Sequence, residues 1–106
     1  MGKIKNACAI SSSVRKEVLK RDGGRCIVCG SYRNLQIAHF ISRGRLGLGI
    51  PQNLGAMCIH CHIEYDNGKL HKEIENIFRG HLKAHYPNWD EKDLVYNKWR
   101  DFNGNS

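Results

Sequence analysis

Residues 35–68 read LQIAHFISRGRLGLGIPQNLGAMCIHCHIEYDNG, and the fold turns on how this stretch is divided. Leu35-Gln36-Ile37-Ala38 alternates as a half-buried strand does, with His39 at its end and Phe40-Ile41 able to continue it. Residues 42–51, SRGRLGLGIP, carry three glycines and a proline, so they form a loop, basic at its start through Arg43 and Arg45. Residues 53–57 lead into Cys58-Ile59-His60-Cys61-His62. A helix is expected to begin near there and to end by Asn67-Gly68.

On the N-terminal side, Ser11, Ser12 and Ser13 offer an N-cap to a helix over residues 14–21, which Asp22-Gly23-Gly24 stops. Val14, Val18 and Leu19 face inward in this reading, and Arg15, Lys16, Lys20 and Arg21 face outward. Residues 1–12, with Lys3, Lys5 and Cys8, read as a loose basic arm. On the C-terminal side, Leu70, Ile74, Ile77, Phe78 and Leu82 recur at helical spacing and predict an amphipathic helix ending before Tyr86-Pro87. Asn88 is expected to cap a last helix with Leu94, Val95, Trp99 and Phe102 as its apolar stripe, so residues 69–102 form C-terminal helices.

The 106 residues make one domain, too small to be held by a large core alone. The formal charge of +7 is lopsided: residues 1–45 hold ten Lys/Arg against Glu17 and Asp22, and residues 46–106 hold seven against eight acids. Such a basic half points to a polyanion. There is no apolar run long enough for a membrane span and no signal-peptide core at the N-terminus, so a reducing cytoplasm is expected. Cysteines at regular spacing then read as metal ligands rather than disulfides.

Cys26-x-x-Cys29 and Cys58-x-x-Cys61 supply two thiolate pairs, the pattern of a closed tetrahedral structural Zn2+ site. Cys58-Ile59-His60-Cys61-His62 also spells the c-type haem attachment string, but haem would leave Cys26 and Cys29 without a role. Cys8 has no partner in either scheme.

The order CxxCG, strand ending in His39, glycine-bearing loop, Asn53-Leu54 and CxxCH over residues 26–68 resembles the HNH endonuclease family, with Asn53 and His62 nine residues apart. The resemblance implies an α+β domain of the ββα-metal type, its zinc bracing the hairpin to the helix and further helices flanking it. It implies a DNA endonuclease hydrolysing phosphodiester bonds, of a size that suits a phage-type protein. His39 would be the general base that activates water. Asn53 would pin the loop that holds it, and His62 would bind a catalytic divalent ion. Asp66, four residues after His62, would share that ion, which a carboxylate suits to Mg2+, Mn2+ or another divalent cation. Many members carry Asp or His before the general base. This chain has Ala38, which leaves that coordination position to water.

Lys20, Arg21, Arg25, Arg33, Arg43 and Arg45 are the candidates for DNA phosphate contacts. The expected partner is DNA, with no membrane and no small-molecule organic cofactor. Two further readings stay open: a non-catalytic zinc-knuckle DNA-binding module, and a nuclease-derived accessory subunit.

Overall fold

A computed structural model describes residues 6–97 of the chain. Helix α1 (Ser12–Arg21) comes first, started by Ser11, whose Oγ accepts from the Val14 N–H at 3.2 Å. Gly23 and Gly24 follow it with φ of 69° and 67°, the left-handed backbone that glycine adopts without a Cβ clash.

Strands β1 (Leu35–His39) and β2 (Leu54–Cys58) then pair antiparallel, from Leu35 opposite Cys58 to His39 opposite Leu54. β2 runs directly into helix α2 (Ile59–Asn67), and the long helix α3 (His71–His85) packs against α2. The result is a small α+β domain built on a ββα unit with flanking helices.

The sequence pattern located β1 but not β2. All five residues of β2 are buried, so LGAMC shows no alternation of apolar and polar positions and cannot announce itself as a strand. On one face Leu54 meets Val18 of α1 and Ile37 of β1. On the other, Phe78 of α3 lies over Gly55 so closely that a Cβ there would sit 2.7 Å from its Cε1. Ala38 and Phe40 join Met57, Tyr65, Phe78 and Leu82 in the main core. Phe40 meets Phe78 and Trp89 edge to face, at centroid separations of 5.3 and 5.5 Å.

Several expectations need correcting. Of the α3 stripe, Ile74, Phe78 and Leu82 are buried, whereas Leu70 and Ile77 are exposed. No helix begins at Asn88. Asp90 instead caps a single 3-10 turn, Glu91–Leu94, and Val95 then bridges to Gly47 in extended conformation. Trp99 and Phe102 lie outside the described residues, as do Lys3 and Lys5. The described part of residues 1–12 is not a loose arm: residues 6–8 form a helical turn, Cys8 is buried, and Gly49 N–H donates to the Ala7 carbonyl at 2.9 Å. The arm is held because Gly49 lets the backbones meet, since a Cβ there would fall 2.0 Å from the Ala9 oxygen.

Candidate functional site

The two cysteine pairs converge where the turn after α1 meets the junction of β2 and α2. Ile27 N–H donates to Ala56 O at 2.9 Å, which docks the first pair on the edge of β2, and Gly30 turns the chain at φ 80°. The sulfurs of Cys26, Cys29, Cys58 and Cys61 all lie within 4.8 Å of one another, with Cys29 and Cys58 at 3.6 Å. Tetrahedral ligands at the usual zinc–sulfur distance stand about 3.8 Å apart, so the four fit such an ion.

The thiols are also pushed in opposite directions. Burial alone would raise Cys26, but backbone N–H groups of Cys29, Cys58 and Val28 outweigh it and bring the thiol down to about 7. Burial and the three neighbouring sulfurs push Cys61 up. Deprotonating all four at this spacing would need a cation among them, and the cluster is positioned to bind a metal ion such as zinc.

At the far end of the same hairpin, Asn53 is fully buried and ties three backbone segments together. Its Oδ1 accepts from Ile41 N–H at 2.8 Å, and its Nδ2 donates to Ile41 O at 3.1 Å and to Leu48 O at 2.9 Å. Its own carbonyl accepts from Phe40 N–H at 2.7 Å. Both ends of the 40–48 loop are thereby fastened beside His39.

His39 is half-buried, and its Nε2 lies 2.9 Å from the Cys8 carbonyl oxygen. A carbonyl can only accept, so Nε2 carries the proton and Nδ1 keeps its lone pair. Burial lowers the pKa of this imidazole. The Cys8 contact opposes the shift, Arg43 and His62 add to it, and Asp66 opposes it. The ring is therefore neutral at neutral pH, with one nitrogen free to accept a proton.

His39 opens on a cleft of about 190 Å³ that Ser42, Arg45, Tyr65, Asp66, His71 and Glu75 also line. Tyr65 braces it from within, donating from its hydroxyl to Phe40 O at 2.6 Å and stacking on His71. His62 lies on the outer face of α2, with Nε2 3.3 Å from Asp66 Oδ2 and Nδ1 2.6 Å from Gln36 Oε1. Two cis ligands of an octahedral Mg2+ stand about 3 Å apart, so His62 and Asp66 fit one small hard cation. Ala38, by contrast, is fully buried among Phe40, Met57, Cys58 and Tyr65. Core packing covers this side chain, and its methyl group offers no ligand atom to a cation.

The six basic candidates separate. Lys20, Arg33, Arg43 and Arg45 are exposed, Arg45 on the cleft itself. Arg25 is exposed too, and its guanidinium stacks on Tyr32 at 4.2 Å. Arg21 does not face outward. Its guanidinium reaches inward to Pro51 O at 2.7 Å, Leu54 O at 2.6 Å and the Tyr86 hydroxyl at 3.1 Å, and it pairs with both oxygens of Asp22. With its donors spent on the fold, it is not a phosphate contact.

Sequence reasoning missed the partner of that arginine. Asp22 looked like a helix stop, yet its carboxylate has no exposed surface and takes four bonds: two from Arg21, one from Ala56 N–H at 2.9 Å and one from His81 Nε2 at 2.7 Å. His81 and His85 lie within metal-binding distance of it, but the Arg21 cation already occupies both oxygens. Gln36 and the Cys8 carbonyl were missed as well. A backbone carbonyl leaves no mark in a sequence, and only Gly49 hints that two backbones meet there.

No protein-family model matches the sequence, and no curated protein matches it. Among solved structures, the chain is similar to the Type IV phosphorothioation-dependent restriction endonuclease ScoMcrA, at 24% identity and a TM-score of 0.59. The match covers 68% of this chain and 17% of that one, so the shared part is the fold of a small piece of a much longer enzyme.

Proposed function

We propose that the chain is an HNH-type endonuclease that hydrolyses DNA phosphodiester bonds with a divalent ion. The observation that carries this reading is the cleft in which a neutral His39, its Nδ1 unprotonated, opens beside Asp66 and Arg45. His39 takes the proton from the attacking water. Asn53 holds it in place by fastening both ends of the loop that follows it. His62 and Asp66 are the residues that would hold the ion, and when bound its charge stabilises the phosphate and the departing oxygen. Arg43 and Arg45, on the loop beside His39, position the DNA backbone, and Lys20, Arg25 and Arg33 extend the basic surface. The four cysteines hold structural zinc, and the ion at His62 is Mg2+, Mn2+ or a similar divalent cation.

The reading agrees with the restriction endonuclease named by the structural neighbour. One observation favours the rival reading of a non-catalytic DNA-binding module: sealing Ala38 in the core removes one customary ligand position. Plasmid incubated with the zinc-loaded protein and a panel of divalent ions separates the two. Cleavage is expected with Mg2+ or Mn2+, falling by a factor on the order of 10^2 to 10^4 in His39→Ala. DNA binding without cleavage under every ion would favour the binding module, and undiminished cleavage by His39→Ala would remove that residue from the mechanism.

A further inference from the structure

Gln36 stands near the start of β1, and the pleat places it on the same face as Ala38, the one that meets α2. Ala38 is sealed in the core, so it brings no oxygen to the neighbourhood of His62. Gln36, one pleat step away and at the exposed end of that face, does: its Oε1 lies 2.6 Å from His62 Nδ1.

We infer that Gln36 is a positioning residue for the cation site, fixing His62 so that its Nε2 lone pair points at the ion shared with Asp66. The imidazole, as a neutral ring, has one N–H and one lone pair. An amide oxygen can only accept, so the proton sits on Nδ1. Nε2 is then bare, on the side where Asp66 Oδ2 stands 3.3 Å away. With the opposite tautomer, Nε2–H would donate to Asp66, and the two groups would satisfy each other instead of a cation. Histidine ligands commonly give their second ring N–H to such an outer partner, which orients the ring and makes the ligating nitrogen more basic. The partner here comes from a different element, β1, so the hairpin and the helix must be docked before the site is set.

This inference rests on the reading of His62 and Asp66 as the ligands of the catalytic ion, and the experiment keeps the two apart. Gln36→Leu removes the acceptor at similar size, and Gln36→Glu keeps an acceptor. Zinc content and circular dichroism establish that each variant is folded. Long-range 1H–15N NMR spectra of the zinc-loaded protein, with no other divalent ion added, show which ring nitrogen of His62 carries the proton. Mn2+ binding without DNA is followed by the electron paramagnetic resonance of the free ion.

The wild type is expected to show Nδ1–H at His62. Gln36→Leu is expected to shift the ring toward Nε2–H and to weaken Mn2+ binding by about 10- to 100-fold, the usual cost of removing an outer partner. Gln36→Glu is expected to restore both. The inference falls if wild-type His62 carries its proton on Nε2, if Gln36→Leu leaves tautomer or affinity unchanged, or if Gln36→Glu behaves as Gln36→Leu does. Unchanged Mn2+ binding in His62→Ala would instead overturn the ligand assignment itself.

Discussion

The carbonyl oxygen of Cys8 lies 2.9 Å from Nε2 of His39, joining the segment before α1 to the end of β1 across 31 residues. Gly49 makes this possible by admitting the backbone of residues 7–9, and any side chain there would collide with the Ala9 carbonyl. Gly49→Ala should push this segment away and leave the His39 ring without its acceptor. DNA cleavage should fall by roughly 10- to 100-fold, the scale on which a small misplacement of a catalytic group is felt. The ring 15N shifts of His39 should change with it. An unchanged rate in a variant whose His39 shifts have moved would show that the Cys8 carbonyl does not matter to the reaction.

If His39 is the general base proposed above, its lowered pKa sets the pH dependence of cleavage. In the proposed mechanism the neutral imidazole is the working form, and burial holds the folded-state pKa below the ordinary value of about 6.5. Protonation therefore begins only at lower pH, and the acid limb of the cleavage rate should fall below that value. Rates at saturating Mg2+ measured across the acid range would test this, and a limb above the ordinary histidine value would contradict it.

One zinc per chain should co-purify, and Cys29→Ser or Cys61→Ser should unfold the domain. The cluster joins the turn after α1 to the start of α2, so its removal separates parts of a small core. Elemental analysis with circular dichroism would check this. Soluble, folded protein free of zinc would refute it.

Asp22 should govern acid stability. Burial alone would raise its pKa, but the bonds from His81, Arg21 and Ala56 outweigh it and take the carboxylate down to about 2. Because the folded-state value is depressed, its contribution is whole above the ordinary carboxylate range and drains away as pH falls toward 2. It amounts to about 2 kcal/mol. Asp22→Ala should cost more, about 3–5 kcal/mol, because it leaves the Arg21 guanidinium buried without its partner. Urea unfolding of both proteins at neutral and acid pH would measure the difference.

The exposed loop arginines and the internally bonded Arg21 should behave differently. Arg43→Ala with Arg45→Ala should weaken binding to unrelated duplexes equally and reduce the salt dependence by about one unit of slope for each phosphate no longer neutralised. Arg21→Ala should instead lower the melting temperature, since its bonds run to Pro51, Leu54 and Asp22. A salt slope unmoved by the double substitution would mean that the loop arginines touch no phosphate.

The four-cysteine cluster was legible in the chain because ligand spacing is local: two residues between cysteines let one turn aim both sulfurs at one point, wherever that turn ends up. β1, α1 and the buried side of α3 were legible for a similar reason, since each carries a period set by its own backbone. β2 was not, because burial on both faces erases the alternation by which a strand is read. The orientation of Arg21 was equally hidden. At the end of a helix an arginine and an aspartate look like a solvated terminus, and only the meeting of α1 with the 51–54 segment and α3 turns them inward. His39, Asn53 and His62 could be named as candidates from their order along the chain, but which nitrogen of each histidine ring carries the proton could not. The partners that bear on it, the Cys8 carbonyl and the Gln36 amide, stand 31 and 26 residues away, and folding alone brings them within a hydrogen bond of the two rings.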